Sequence, residues 1–595
     1  MKPKYFFLLC LSFCIVHPSF NITQATVRFV SKTGSSTPPY TSWQTAADSI
    51  QKCINICIDG DTIYVANGIY KENLVINTAI SLIGSSMDST MIDGTGLTVI
   101  TVEYVQHGIG GSFENFTILG KGFDQGVGIL TVKNILVKNC RIKNDQGGIS
   151  VINEGYQIEN VIITNVVLGV FGGCASINCN NVLKNCVIVV PNNTSQGVST
   201  GSGNYEISNN IILYTGDANF ESGIYVSAAN KINITNNLIS KFGNGISFDV
   251  VLDTALVKNN IITYQSSSGS TGGIISTNDI LFVNNMIFIN NKKGIYGGGL
   301  VRSNYNIFWN NDVNLVGVAY GDSDIVADPM LVKDTIPRIN GTYDFHLQAF
   351  SPGIDKGDPT ILDVDGSRSD IGMYGGPFGE TYTYQDLAPL APRNLSAIVD
   401  SNNITVRWNR NTESDTSYYK VYRDTVSGFQ IDSTKLVSST SDSFFVQVNP
   451  HINIRYIYKV ICVDKQGNES KPSTELVVTI TPVSMDDYPM TINNYQLYQN
   501  YPNPFNPNTK IGYQLKERAY VKLMIYDIKG ELISVLVNKE QNAGYYEAEF
   551  FSSSIQNPVS SIKGIASGIY LYRIEVIGEG KIPIYTEMKK MLLIK

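Results

Sequence analysis

Between Phe113 and Phe308 one short pattern of polar and apolar positions recurs. The pieces SFENFTI, VKNCRI, IENVII, LKNCVI, ISNNII, ITNNLI, VKNNII, FVNNMI and SNYNIF each lead through an Asn to an Ile. With the first Asn of each as anchor (Asn115, Asn139, Asn160, Asn185, Asn209, Asn236, Asn259, Asn284 and Asn304), the intervals are 24, 21, 25, 24, 27, 23, 25 and 20 residues. Three residues after every anchor stands an Ile: Ile118, Ile142, Ile163, Ile188, Ile212, Ile239, Ile262, Ile287 and Ile307. About half a period later a Gly leads into an apolar residue, from Gly128-Ile129, Gly148-Ile149, Gly169-Val170 and Gly197-Val198 to Gly223-Ile224, Gly245-Ile246, Gly273-Ile274 and Gly294-Ile295. Such a repeat means that each unit buries its apolar face only by stacking on its neighbours.

The units are too short and too alternating for helical repeats, and Gly, Asn and Ser break them. They predict strands. A unit near 24 residues with two or three short strands fits one coil of a parallel β-helix, with the Ile column inside and coils about 4.8 Å apart. Asn at the repeated turn tolerates left-handed backbone, and its amide can bond to the same amide in the next coil. Before the repeats, Thr41 to Ile58 has a helical period with Trp43, Ala46, Ala47, Ile50 and Ile54 on one side and Ser42 as N-cap; it predicts a helix that closes the open end of the solenoid. GDTIYVANGIYKENLVI and the stretch after it supply the first coils.

Two further segments alternate as strands. One lies between Pro389 and Pro482, and the other runs from Tyr495 to the end. The predicted fold is therefore all-β: a β-helix over 26–380, a sandwich over 386–483 and a second over 495–595. Residues 1–25 have the layout of a signal peptide, with Lys2 and Lys4 ahead of the apolar run Tyr5–Val16 and small residues before Ala25, so the expected location is outside the cytoplasm, at the cell surface or beyond. No later apolar run is long enough for a transmembrane helix.

Composition narrows the chemistry. Charged residues are 16% of the chain and the formal net charge is −7, which gives no basic surface for nucleic acid. Nine Cys become seven after removal of Cys10 and Cys14, an odd number that leaves at least one unpaired or paired between chains. Cys140 and Cys186 share a repeat column two coils apart, too far to bridge, and read as apolar packing. Cys174 and Cys179 lie in one turn and could bridge; Cys53 and Cys57 are poorly placed to do so.

Candidate cation ligands are few. Asp124 and Asp145 precede the Gly column in adjacent coils and are a candidate Ca2+ pair, with two solvated turn residues as the alternative. Asp217 and Glu221 occupy the corresponding turn several coils later. Asp363-Val364-Asp365-Gly366 with Asp370 has the oxygen density of a Ca2+ loop but departs from the EF-hand spacing, and a structural turn is the alternative. Arg141-Ile142-Lys143 spells a tripeptide of polygalacturonases, yet the other segments such enzymes need are missing from this sequence, and Ile142 belongs to the core column. His107 and His346 precede the first sandwich, and His346 reads as structural. Tyr214, Tyr225, Phe248 and Tyr264 could stack on sugars or pack at turns.

The opening GDTIYVANGIY, the Asn-Ile coils and the ending YDFHLQ, SPGIDKGDP and DVDGSRSDIGMYGG together resemble the secreted right-handed parallel β-helix proteins of the pectate-lyase-like superfamily, in the surface-protein branch with an Asp/Gly-rich closing motif. Pro392, Trp408, Tyr456, Tyr458 and the turn Gly467-Asn468-Glu469-Ser470 resemble a fibronectin type III sandwich. YQLYQNYPNPFNPNTKIGYQL, VKLMIYDIKGELI, AGYYEAEF, ASGIYLYRI and KKMLLIK are similar to the type A C-terminal sorting domain of type IX secretion cargo. That resemblance implies export by the type IX machinery, then cleavage and surface attachment or release.

Two functions are compatible with this reading. One is a non-catalytic surface protein with an adhesion or glycan-binding role; the other is an extracellular polysaccharide lyase or glycoside hydrolase working in a groove of the β-helix. The sparse ionisable groups in the coils favour the first, because either enzyme needs clustered carboxylates or a Ca2+ with a Lys or Arg base.

Overall fold

The computed structural model describes residues 25–594 apart from 95–97, 104–110, 121–126, 132–133, 144–146, 154, 175, 177, 192–195, 217–220, 266–271, 277–279, 299, 338–340, 401–402, 452–453, 480–493, 553–564 and 579–582. The signal-peptide stretch, His107, Asp124, Asp145 and Asp217 lie outside the described residues.

The coils wind into a parallel β-helix with three faces. Ile135–Lys138 lies on face one, Arg141–Lys143 on face two and Gly147–Asn153 on face three, and the next coil repeats the order. Among the described residues faces one and two have 12 strands and face three 11, each paired in parallel with the coil before and after. One left-handed residue makes the corner between faces one and two. It is Asn at 115, 139, 160, 185, 209, 236 and 259, with φ between 50° and 65°.

The Ile and Gly columns interlock. Ile118, Ile142, Ile163, Ile188, Ile212, Ile239 and Ile262 stack in register along face two. The residues after the Gly column stack likewise on face three, from Ile129 to Ile295. A Cβ built on Gly148 would stand 2.7 Å from Ile163 Cγ2 and 2.4 Å from the Gly169 carbonyl oxygen, so the column is Gly because the isoleucines fill that space.

The expected column slips by one residue in the last two coils. Ile262 pairs with Phe288, and Phe288 with Phe308, while Ile287 and Ile307 continue the row of Ile261. The left-handed corner there is Asn285 and then Tyr305, not Asn284 and Asn304. A doubled Asn and a Tyr corner hid the shift from alignment on the first Asn.

A second Asn column, one residue beyond the corner, faces the interior. Asn210 Nδ2 donates to Asn237 Oδ1 and Asn237 Nδ2 to Asn260 Oδ1, both at 2.9 Å, and the side-chain oxygens also accept from the backbone N–H of the preceding coil. Cys140 and Cys186 stand in this column and give their thiols to carbonyls of Lys138 and Lys184 at 3.3 and 3.2 Å. Burial pushes both thiols up to about 12. The corner Asn column is also laddered in places, as with Asn160 Nδ2 to Asn139 Oδ1 at 3.2 Å.

The capping helix is shorter than its periodicity predicts. Only Ile50–Ile54 is helical, with Ser49 as N-cap. The Glu72 carboxylate accepts from Ile50 N and Gln51 N at 2.9 and 3.0 Å and closes the exposed donors of that first turn. Ahead of it Ala47 is bridged to the edge strand Val27–Val30, with Ala47 N bonded to Phe29 O at 2.9 Å and Ser31 N to Ala47 O at 2.8 Å. Peptide groups committed to that edge cannot close helical turns. Ser42 instead caps a local turn at Thr45, and Trp43 lies exposed against Phe29.

Two compact units divide the chain, 1–448 with 456–477 and 449–455 with 478–595. In the first, the β-helix is followed by most of a sandwich of three- and four-stranded antiparallel sheets, whose strands lie between Ser396 and Thr479. Trp408 is buried against Tyr419 at 5.3 Å, and Tyr458 donates to Gln447. The second unit holds another sandwich of three- and four-stranded sheets. There Phe505 is buried against Phe550, and its backbone N–H donates to Leu592 O at 2.9 Å.

Candidate functional site

The three outer faces differ in what covers them. Face two is covered by the chain itself over its later coils: the segment from Asp328 to Asp386 folds back over the coils from Asn209 onward. Leu331, Phe345, Leu347 and Ile371 form a second core with Leu238, Ile261, Ile287 and Ile307. The corner asparagines hold this segment, with Asn236 Nδ2 donating to Met373 O at 2.8 Å, Asn259 Nδ2 to Asp370 O at 3.1 Å and Asn209 Nδ2 to Phe378 O at 3.0 Å. The closing motif therefore seals a face.

Its acidic residues are used internally. Asp370 is 2% exposed and accepts from Asp355 N at 2.9 Å, Tyr384 Oη at 2.9 Å and Tyr382 Oη at 3.3 Å. Burial, with Asp363 repelling it, pushes its carboxyl up to about 6. Asp363 accepts from Asp370 N and Gly376 N, and burial raises it as well. Asp365 is exposed and bonds only within its own turn, to Ser367 N and Oγ, which lowers its carboxyl. The structure thus gives Asp363, Asp365 and Asp370 separate tasks and does not gather them into one oxygen cluster. His346 stacks on Tyr374 at 3.7 Å and is held between Asp344 and Glu380 at 2.6 and 2.7 Å, all within the closing segment.

Face one carries a ladder of opposite charges. Glu159 accepts Lys184 at 3.0 Å, with Lys138 at 3.9 Å on the other side. On face two, Arg141 reaches Asp88 at 2.9 Å while Ile142 between it and Lys143 is fully buried, so the polygalacturonase-like tripeptide is a core residue with two outward neighbours.

Face three presents a different column. In register across successive coils stand Leu130, Ser150, Phe171, Ser199, Tyr225, Ser247 and Ile275, with Tyr296 next. Large apolar residues alternate with Ser. Phe171 and Tyr225 are half-buried and two coils apart, about 9.6 Å from strand spacing, with Ser199 between them. The rim is neutral or acidic: Gln196 Nε2 donates to Glu221 at 2.9 Å, Ser222 and Ser247 share a hydrogen bond at 2.7 Å, and Tyr225 Oη donates to Asp249 at 3.2 Å. Lys293 sits 5.1 Å from the Tyr296 ring. Of the four aromatics singled out by sequence, Tyr225 alone belongs to this column. Tyr214 and Phe248 are buried in the coil core, and Tyr264 bonds to Asp334 at 2.9 Å. The sequence missed Phe171; its place half a period beyond the corner Asn, two residues after Gly169, is the signal that finds it.

Comparison with known proteins gives partial matches. No family model matches the chain. The amylopullulanase of Thermoanaerobacterium saccharolyticum is 30% identical over 94 residues, which is 16% of this chain and 7% of that protein, so the match spans a small part of the curated relative's length. An Fn3-like protein from Clostridium thermocellum is 25% identical over 16% of this chain and 99% of that chain, with a TM-score of 0.14. Pectate lyase Pel9A is 15% identical over 60% of this chain and 97% of that chain, with a TM-score of 0.42.

Among the described residues one set of three acidic groups comes together, and it lies at the root of the first sandwich: Asp386, Asp415 and Asp464. No disulfide joins the seven described cysteines from Cys53 to Cys462, so Cys174 and Cys179 do not bridge. Asn181 Nδ2 approaches the Cys174 sulfur at 3.6 Å instead. No described helix is long and apolar enough to cross a membrane.

Proposed function

We propose that this chain is a secreted, surface-displayed protein that holds a polysaccharide along face three of its β-helix without cleaving it. The observation that carries the reading is the alternation of Leu130, Phe171, Tyr225 and Ile275 with Ser150, Ser199 and Ser247. Rings and aliphatic side chains at two-coil spacing offer stacking platforms for every second sugar of an extended chain, and the small Ser between them leaves room for the sugar that turns away. A neutral glycan suits the face, because the described residues of its polar rim include the carboxylates of Glu221 and Asp249. Segment 495–595 is the address for the type IX machinery in this reading, supported by its five sequence segments, and it places the β-helix at the outer cell surface or in the medium.

The test is incubation of the full chain with a panel of neutral and uronate polysaccharides, with and without Ca2+, read by co-sedimentation and by mass spectrometry of the soluble fraction. Retention of a neutral glycan with no shortened product is expected. Products with unsaturated ends would establish a lyase and saturated ones a hydrolase; either would overturn the non-catalytic reading.

A further inference from the structure

Asp415 stands apart from the other buried carboxylates of the first unit. Asp61, fully buried, is matched by Arg28 at 2.9 Å and by Thr26 N and Ile58 N at 2.6 and 3.1 Å. Glu413 accepts from Leu390 N at 2.6 Å and Thr412 N at 3.0 Å. Asp464 is 2% exposed; one of its oxygens accepts from Gln466 N and Asn468 N, at 3.0 and 2.8 Å, and the other from Asn468 Nδ2 at 2.9 Å. Asp415 is 3% exposed, yet among the described residues no other residue donates to its carboxylate and no Lys, Arg or His pairs with it. The ammonium of Lys465 donates to the Ser414 carbonyl at 3.1 Å.

What this carboxylate faces is more negative charge. One oxygen each of Asp386, Asp415 and Asp464 lie within 4.8 Å of one another. Asp386 comes from the segment leaving the β-helix, Asp415 from just ahead of the strand Thr416–Asp424 and Asp464 from the end of the strand Arg455–Asp464. Oxygens this close can share one Ca2+, which binds carboxylate oxygens at about 2.4 Å.

We infer that Asp386, Asp415 and Asp464 form a Ca2+ site that fastens the first sandwich to the segment leaving the β-helix. Asp415 supplies the buried ligand and Asp386 the exposed one, which closes the site from the solvent side. Asn468, whose amide donates to both Asp386 and Asp464 at 3.0 and 2.9 Å, holds those two carboxylates in place. The cation would join elements that otherwise meet through a few contacts, such as Thr412 with Asp328 and Ser414 N with Met330 Sδ at 3.4 Å.

The experiment is calorimetric titration of CaCl2 into the metal-stripped full chain and its Asp415→Asn and Asp386→Asn variants, with thermal unfolding of each followed with and without Ca2+. Wild type should bind Ca2+, and each variant should bind one equivalent fewer or at least tenfold more weakly. Asp415→Asn should unfold at a higher temperature than wild type in the absence of Ca2+, because a repulsive charge is gone, and should gain less from added Ca2+. Asp386 is exposed, so Asp386→Asn keeps the test valid if Asp415→Asn does not fold. No binding by wild type, or unchanged stoichiometry and affinity in the folded variants, would overturn the site.

Discussion

Phe288 stacks on Phe308 with ring centroids 5.0 Å apart and planes 6° from parallel. The pair continues the interior column that isoleucines fill from Ile118 to Ile262. A Cβ on Gly273 or Gly294 would stand 3.0 Å from the ring beside it, so the two rings use the room that the Gly column provides. Phe308→Ala should destabilise the β-helix by about 3–5 kcal/mol, through lost burial and the cavity left behind, and Phe308→Ile by less. Urea midpoints of the β-helix transition would decide; equal midpoints for the two variants would mean that the ring is not what fills the last coil.

The interior Asn ladder makes a sharper prediction. Asn237 donates to Ile207 O, Thr235 O and Asn260 Oδ1 and accepts from Asn210 N and Nδ2, all at 2.8–2.9 Å. Asn237→Ala strands several buried partners, at about 1–3 kcal/mol each. Asn237→Met should cost less, because Met286 already holds this column and its sulfur accepts from Asn260 N at 3.3 Å. Hydrogen exchange at Asn210 N, faster in the Ala variant than in the Met variant, checks the order.

Asp370 gives the closing segment a pH dependence. Its carboxyl titrates at about 6 when folded against a usual value of 3.8, so the folded state holds its proton more tightly. Stability of the segment should therefore be highest below about pH 4, fall as pH rises towards 6 and level off above that, for a loss of up to about 3 kcal/mol. Asp370→Asn should flatten the profile between pH 4 and 6. Limited proteolysis of 328–386 across that range reads it, and a profile unchanged in the variant would assign the dependence elsewhere.

On face three, Tyr225→Ala should weaken glycan retention by up to about tenfold, since a partly exposed ring contributes about 0.5–1.5 kcal/mol by stacking. Phe171→Ala should act in the same direction. Ser247 follows Tyr225 in the column and is partly exposed, and Ser247→Phe should also weaken retention, by filling the space left for the intervening sugar. Co-sedimentation with the glycan found for wild type measures all three.

How much of this was legible depended on whether a position repeats. The period, the Gly column, the corner asparagines and the packing role of Cys140 and Cys186 all follow from the 24-residue pattern, because a side chain stacked on its own copy is constrained in the same way in every coil. The slip at Phe288 was not legible, since FVNNMI offers two asparagines and sequence alone does not say which takes the left-handed turn. The shortened cap was also hidden. Periodicity showed that Ala47 could face inward on a helix, but not that its peptide group is bridged to Val30.

The sequence by itself determined a stacked, all-β solenoid with strand-rich segments behind it, because local alternation and a fixed period suffice to specify which face of each coil is buried. The tertiary structure decided which outer face is free. The segment from Asp328 to Asp386 lies outside the repeat, and only the folded chain shows that it covers the later coils of face two and consumes Asp363 and Asp370 in internal hydrogen bonds, away from the Phe171–Tyr225 column of face three. It also brought together Asp386, Asp415 and Asp464, which are up to 78 residues apart in the chain and share no motif. Contacts between segments that do not repeat depend on where the whole chain turns, and no local pattern records that.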